Sequence, residues 1–388
     1  AKSESGNAAS TPVGISADGR FVLFTSSASN LLQPGSTPGF GVRLLLRDLL
    51  KETTSLLGSG NPAPTVFTTD TACAFQFRGP FNISVHTYGS TTTDSSFIPQ
   101  TGTTLQGFSP DARWISLTRN LGTGFSLELY DRQTRTTRSI TSERAADPAN
   151  PSGPIPPAFS QDSRFLVFSD SSATLVANDS NNAVDVFRVS LESGQIELVS
   201  LSSKTPPSSG AGASDQPRMS GDGRFVVFRS SAPDLTSHSP VLGSQIFVRD
   251  VATGTTRLLS RSPDGTPGNG FSGNPWISQD GSAIVFQSAA DNLVAADHNN
   301  ATDIFFVLHQ DPAAQPRLLF HRSADGRFRL SWPVAASNPP VLQYSAAIHP
   351  ATWNDFPGPI TLDPGSSSAA AVVDFGTPAR FYRLRPSP

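Results

Sequence analysis

Residues Met219–Ser230 read MSGDGRFVVFRS, and the chain returns to this line at Ile15–Ser26 (ISADGRFVLFTS), Phe108–Arg119 (FSPDARWISLTR), Phe159–Asp170 (FSQDSRFLVFSD) and Ile277–Ser288 (ISQDGSAIVFQS). A degenerate copy, FTTDTACAFQFR, stands at Phe67–Arg78, with Gln76 where the others carry Phe or Leu. The aligned acids are Asp18, Asp70, Asp111, Asp162, Asp222 and Asp280, with separations running from 41 residues (Asp70 to Asp111) to 60 (Asp162 to Asp222). A period of this length is that of one four-stranded propeller blade with variable loops, so six copies predict six blades.

Each copy has a physical reading. The Asp-Gly pair, or its equivalent, makes a tight turn in which the carboxylate accepts turn N–H groups. The runs that follow, FVLF, FLVF, FVVF and AIVF, do not alternate apolar with polar, so both faces of the strand must be covered. A strand sandwiched between neighbouring blades meets that requirement. Downstream comes a second hairpin, clearest as QIFVRDVATGTTRLLS at Gln245–Ser260, with counterparts at Asp185–Ser200 and Leu127–Thr141. Its Thr-Gly or Ser-Gly pair supplies the turn, and its return strand forms the outer edge of the blade. The Arg after the turn (Arg20, Arg113, Arg164, Arg224) is expected to pair with carboxylates or carbonyls of its own or the next blade.

Taken together, S-x-D-G-R-hydrophobic-V-x-F-x-S, then S-A-x-N-L, then D-x-N-x-x-x-D-[IV]-F, then D-x-x-T-G resembles the TolB-type, WD-repeat-like propeller family of bacterial envelope and secreted proteins. The resemblance covers roughly residues 10 to 321 and is weakest in the second copy. It implies a propeller and a secreted, periplasmic or cell-surface location, and it leaves function open because such propellers serve both as binding platforms and as enzyme scaffolds.

The fold class expected is therefore all-β: a tail over 1–10, a six-bladed β-propeller over 11–321, and a small β-sandwich-like module over 322–388. In that last segment FRLSW, LQYSA, TWNDF, ITL, AAAVVDF and RFYRL alternate with Pro/Gly turns. The segment resembles a compact β-rich C-terminal module of secreted bacterial proteins, read here as immunoglobulin-like or fibronectin-like. Its aromatics (Trp332, Tyr344, Trp353, Phe381, Tyr382) are expected to be the core of a very small domain rather than a sugar-stacking platform.

Composition agrees. With 33 Pro and 31 Gly among 388 residues, helices are interrupted and turns are plentiful. Net charge is −3, and Lys appears only at Lys2, Lys51 and Lys204. No basic face exists for nucleic acid. No apolar run approaches the ~20 residues of a transmembrane helix. The start at Ala1 fits a mature chain after signal-peptide removal, and a trimmed chain would start the same way. The single cysteine, Cys73, lies in the apolar TACAFQF and reads as a buried inert thiol.

Enzyme signatures are absent: no H-E-x-x-H, Walker loop, dinucleotide fingerprint or G-x-S-x-G elbow. The six His residues show no metal-ligand spacing, and no catalytic or cofactor-binding residue is assigned. The polar cluster that stands out is D-x-N-x-x-x-D, as Asp179, Asn181 and Asp185 in the fourth blade and Asp297, Asn299 and Asp303 in the sixth. Alternating oxygen side chains on a loop suit a hard cation, calcium above all. The alternative is a long hairpin held by Asx turns, which the fifth blade favours because its loop lacks these residues. The function expected is a non-catalytic platform for protein, polysaccharide or self-association. A propeller hydrolase or lyase at the channel mouth and a surface-layer or filament subunit are the alternatives.

Overall fold

The computed structural model describes residues 6–16, 18–32, 41–60, 65–69, 71–76, 83–97, 102–122, 124–141, 156–236, 243–294, 297, 301–309, 319–322, 328–333, 341–345, 354–355, 360–362, 368–373 and 381–385. The chain forms two compact units, Ala1–His309 and Gln310–Pro388. Among the described residues every element is a strand, and none is a helix long and apolar enough to cross a membrane.

The first unit is a succession of antiparallel meanders. The first comprises β1 (Ser10–Ile15), β2 (Phe21–Ser26), β3 (Val42–Asp48) and β4 (Thr53–Gly60); the second comprises β5 (Thr65–Thr68), β6 (Ala72–Gln76), β7 (Ile83–Thr87) and β8 (Asp94–Phe97). In the third are β9 (Thr103–Phe108), β10 (Trp114–Asn120), β11 (Phe125–Asp131) and β12 (Thr136–Ser139). The fourth holds β13 (Ala158–Phe159), β14 (Phe165–Asp170), β15 (Asp185–Ser190) and β16 (Ile196–Leu198). The fifth holds β17 (Ser214–Met219), β18 (Phe225–Ser230), β19 (Gln245–Asp250) and β20 (Thr255–Leu258). The sixth shows β21 (Ser272–Ile277), β22 (Ala283–Ser288) and β23 (Asp303–Leu308). Consecutive four-stranded meanders packed face to face are the blades of a β-propeller.

The repeated motif crosses each inner turn. Its central runs fall on the second strand of each blade, where alternate side chains serve two interfaces. In β18, Val226 and Phe228 join the core shared with the fourth blade, while Phe225 and Val227 join the core shared with the sixth. All four are buried, which is why the sequence shows a continuous apolar run. On β23 this pattern changes: Phe305 and Val307 pack toward the fifth blade, whereas Ile304, Phe306 and Leu308 are exposed on the opposite face. Among the described residues no core cluster joins the sixth blade to the first.

The turn Asp is structural wherever it is described. In the fifth blade Asp222 accepts from Ser220 Oγ (2.6 Å) and from the Arg224 N–H (3.0 Å), while Ser220 Oγ accepts the Phe225 N–H (3.0 Å). The same three bonds recur at Ser16–Asp18, Ser109–Asp111, Ser160–Asp162 and Ser278–Asp280. Asp70 lies outside the described residues.

The Arg after the turn reaches the last residue of the third strand in its own blade. Arg20 binds Asp48 through two bonds (3.0 and 2.8 Å), Arg113 binds Asp131 (3.1 and 2.8 Å), and Arg224 binds Asp250 (3.0 and 2.8 Å). Where Ser190 replaces that Asp, Arg164 turns to Asp162 instead (2.7 Å). The sixth blade has Ser282 and Leu308 at the two positions, so both partners are missing together.

Cys73 is buried between the first two blades, and burial pushes its thiol up to about 12. It is inert at neutral pH.

In the second unit, β24 (Leu319–Arg322), β25 (Phe328–Pro333), β28 (Ile360–Leu362) and β29 (Ser368–Val373) form one antiparallel sheet, in the order β24-β25-β29-β28. A second is made by β26 (Val341–Ser345), β27 (Asn354–Asp355) and β30 (Phe381–Arg385), in the order β27-β26-β30. Leu330 from the first and Leu342 from the second are buried. Of the aromatics named from the sequence, Trp332, Tyr344, Phe381 and Tyr382 stand on these strands and Trp353 lies outside the described residues.

The blade-locking pairs make an acid-stability prediction. The guanidinium beside each carboxylate holds Asp48 and Asp131 at about 2, below the ordinary 3.8. Their contribution is complete above the ordinary value and disappears as pH falls through about 2. Thermal unfolding followed from neutral to acid pH should show this loss, and the double variant Arg20→Ala, Arg113→Ala should show less of it. At neutral pH, Arg224→Ala should destabilise the chain by about 1 kcal/mol, measured by denaturant unfolding.

Candidate cation site in the fourth blade

At the mouth of each blade the end of the second strand faces the start of the third. The pairs across this ladder are Ser26 with Arg43, Ser230 with Gln245, Ser288 with Asp303 and, in the fourth blade alone, Asp170 with Asp185. Asp170 and Asp185 are both fully buried. In the other three blades the Ser hydroxyl accepts the N–H two residues on, at Ala28, Ala232 and Ala290. Asp170 does the same for Ser172 (2.8 Å).

The fifth blade shows how a neutral side chain fills the third-strand position. Gln245 Oε1 accepts from Ser260 Oγ (2.6 Å), and its Nε2 donates to the Gly268 and Gly270 carbonyls (2.9 and 3.1 Å). In the fourth blade two residues divide this work. Asp185 Oδ1 accepts from Ser200 Oγ (2.6 Å), and Asn181 Nδ2 donates to the Gly210 carbonyl (2.5 Å). Asn181 Oδ1 also accepts the Ala183 N–H (2.7 Å), an Asx turn followed by Asn182 in the left-handed region (φ 53°).

The division leaves oxygen atoms over. Asp185 Oδ2 is buried without a hydrogen-bond partner among the described residues, and so are both carboxylate oxygens of Asp179. Asp179 is only 7% exposed. Burial pushes Asp185 up to about 7; the Ser200 hydrogen bond and the neighbouring Asn181 amide oppose the rise and the nearby Asp179 adds to it. Burial also raises Asp179; the neighbouring Asn181 N–H and Ser209 hydroxyl pull the other way, though neither makes a well-aligned hydrogen bond to it. An uncompensated buried carboxylate costs several kcal/mol, so this pocket favours either protons or a cation.

Of the residues singled out in the sequence, Asp179, Asn181 and Asp185 come together. Asn181 makes the Asx turn to Ala183, Asp185 bonds Ser200, and Asp179 stands beside the Asn181 N–H. The sixth-blade counterpart is only partly described. Asp297 and Asp303 are half-buried, and Asn299 lies outside the described residues. Asp170 and Ser200 were missed. For Asp170 a signal is present, because Phe168-Ser169-Asp170 departs from the FTS, FRS and FQS of its sister copies, whereas Ser200 matches Ser260 of the fifth blade and does not stand out.

The donor set is all oxygen, which suits calcium over softer metals. Among the described residues no three His, Cys, Asp or Glu side chains converge as a metal-binding group. A cation here would rest on Asp179 and Asp185, with carbonyls and water completing its shell.

No family model and no curated protein matches the chain. Among solved structures it is similar to TolB from Acinetobacter baumannii, at 15% identity and a TM-score of 0.34 over 84% of this chain and 76% of that one. It is similar to an oligogalacturonate lyase solved with manganese, at 15% identity and 0.44 over 70% and 68%. It is similar also to a prolyl endopeptidase, at 12% identity and 0.46 over 85% and 47%. The fold is carried by the meanders themselves.

The pocket predicts an unusual pH profile. A carboxyl raised from 3.8 to about 7 by burial stabilises the folded chain when protonated, so metal-free stability should fall as pH rises through that window. Asp185→Gln, which installs the fifth-blade arrangement, should remove this fall and stabilise the metal-free chain at neutral pH by about 1–3 kcal/mol. Denaturant unfolding at a series of pH values reads both effects.

Proposed function

We propose that this chain is a non-catalytic, extracytoplasmic six-bladed propeller that serves as a binding platform, with a calcium ion fixing the loop of its fourth blade. The observation that carries the reading is the pair of buried acids, Asp179 and Asp185, whose three unbonded oxygens face no cationic side chain among the described residues. A site with two carboxylates is a weak one. Calcium sites of extracellular modules work at about 10⁻⁴–10⁻³ M, a concentration met outside the cytoplasm, so weak affinity and the secreted, periplasmic or cell-surface location support each other.

The platform reading is supported by what the titratable groups do. Among the acids held below their ordinary values, Asp48, Asp131 and Asp250 fasten strands to one another and Asp18 and Asp162 close blade turns. The C-terminal unit, with four strands in one sheet and three in the other, fits an immunoglobulin-like or fibronectin-like appendage.

Calcium binding to the folded chain alone must raise its melting temperature with ligand concentration. The wild-type chain should gain about 0.4–1.4 kcal/mol of stability in about 1 mM calcium, more at higher concentration, and lose it to excess chelator. Asp179→Asn and Asp185→Asn should each abolish the response, while Asp297→Asn leaves it intact. An unchanged melting temperature across the calcium series would remove the ion from the account.

A further inference from the structure

The inner strands of five blades end on an aligned apolar residue: Ile15, Phe108, Phe159, Met219 and Ile277. The residue before it lies opposite the second strand and is small in three of them, as Gly14, Gly107 and Ala158. There is a steric reason. A Cβ at Gly14 would lie 3.2 Å from Thr68 of the next inner strand, and one at Gly107 would lie 2.7 Å from Ser116 and 3.2 Å from Phe159. The fifth and sixth blades break this rule with Arg218 and Trp276. The two stack on each other, the Arg218 guanidinium 4.7 Å from the Trp276 ring centroid, and the indole remains 58% exposed.

Backbone strain marks the same place. Gln216 and Asn274, two residues before Arg218 and Trp276, sit in β-bulges with φ of +52° and +51°. Neither is glycine, and such strain persists only where the surroundings hold it. The two are linked: Gln216 Oε1 accepts the Asn274 N–H (2.7 Å), and Asn274 Nδ2 donates to Gln287 Oε1 (2.8 Å). This row of amides leaves Gln216 Nε2, Asn274 Oδ1 and Gln287 Nε2 without a protein partner among the described residues. Donors and acceptors therefore alternate beside an exposed aromatic ring.

Arg218 adds a charge requirement. Among the described residues its side chain has one hydrogen bond, to the Pro217 carbonyl (2.9 Å). The adjacent acid Asp215 is held by Arg229 through two bonds. Burial lowers Arg218, and no acid appears among the influences on it. A half-buried guanidinium lacking a carboxylate is completed by an anionic ligand.

We propose that Trp276, Arg218, Gln216, Asn274 and Gln287 form a subsite for an acidic saccharide, a uronate unit of a polysaccharide. The open face of the indole stacks on the apolar face of the pyranose, the amides exchange hydrogen bonds with its hydroxyls, and Arg218 pairs with its carboxylate. An acidic peptide would meet the charge requirement alone, whereas a flat ring bordered by amides matches a hydroxylated ring. The proposal gives the platform reading its ligand class and is independent of the fourth-blade ion.

Affinity electrophoresis of the full chain in gels containing polygalacturonate, neutral dextran or polyglutamate tests it. The wild-type chain should be retarded by polygalacturonate more than by either other polymer. Trp276→Ala should weaken that retardation about tenfold, and Arg218→Gln should abolish the preference over dextran. Melting temperature and its calcium response, measured on each variant, certify the fold and separate this site from the ion. No retardation of the wild type, equal retardation by polyglutamate, or an unaffected Trp276→Ala with native melting would each overturn the subsite. Retardation that survives in Asp179→Asn while the calcium response is lost would leave the subsite standing.

Discussion

Burial of one strand between two neighbouring sheets governs this propeller. A second strand such as β18 sends Val226 and Phe228 to one neighbour and Val227 to the other, so every blade interior is also two interfaces. At about 25 cal/mol per Å² of apolar surface, this shared burial is the main term holding the blades together. The remaining constraints follow from it. Strand ends must be fastened without polar groups in the sandwich, and the Ser–Asp turn and the Arg–Asp pair do this at the perimeter. The pair behaves as one unit, since the sixth blade loses both members and Arg164 finds a new partner when its Asp is replaced.

The perimeter position at the blade mouth shows how a repeat acquires chemistry. The same geometry accepts Arg43, Gln245 or Asp185, and each is satisfied differently. Gln245 closes its hydrogen bonds with one side chain, whereas the fourth blade uses Asp185 and Asn181 together and buries Asp179 beside them. The fold tolerates the substitution because the Ser200 bond is kept. The carboxylate oxygens left over are a consequence of replacing an amide with an acid.

Much of this was legible in the sequence, for reasons that can be located. The continuous FVVF-type runs predicted strands covered on both faces because propeller blades are covered on both faces, and the aligned Asp marked every described turn. Asp179, Asn181 and Asp185 were visible as a cluster, since loop spacing alone brings them together. Asp170 shows in the sequence only as a departure from its sister copies; its role depends on cross-strand register, which places it against Asp185 from fifteen residues away. The Arg218–Trp276 stack was equally hidden: it joins two blades, and only comparison with Gly14, Gly107 and Ala158 shows that large side chains there are departures. Both proposed sites lie where one copy of the repeat breaks the pattern its sisters keep.

The central claim is that Asp179 and Asp185 form a buried acidic pair awaiting a cation, with Asp185 near neutrality in its absence. Titration calorimetry of calcium in buffers of different ionisation enthalpy tests it directly, because a cation that displaces a proton makes the observed heat depend on the buffer. At a pH close to 7, where Asp185 is partly protonated, the account predicts one ion bound per chain with release of a fraction of a proton, a fraction that shrinks as the pH is raised above that value. Binding without proton release, or no binding at all, would contradict it.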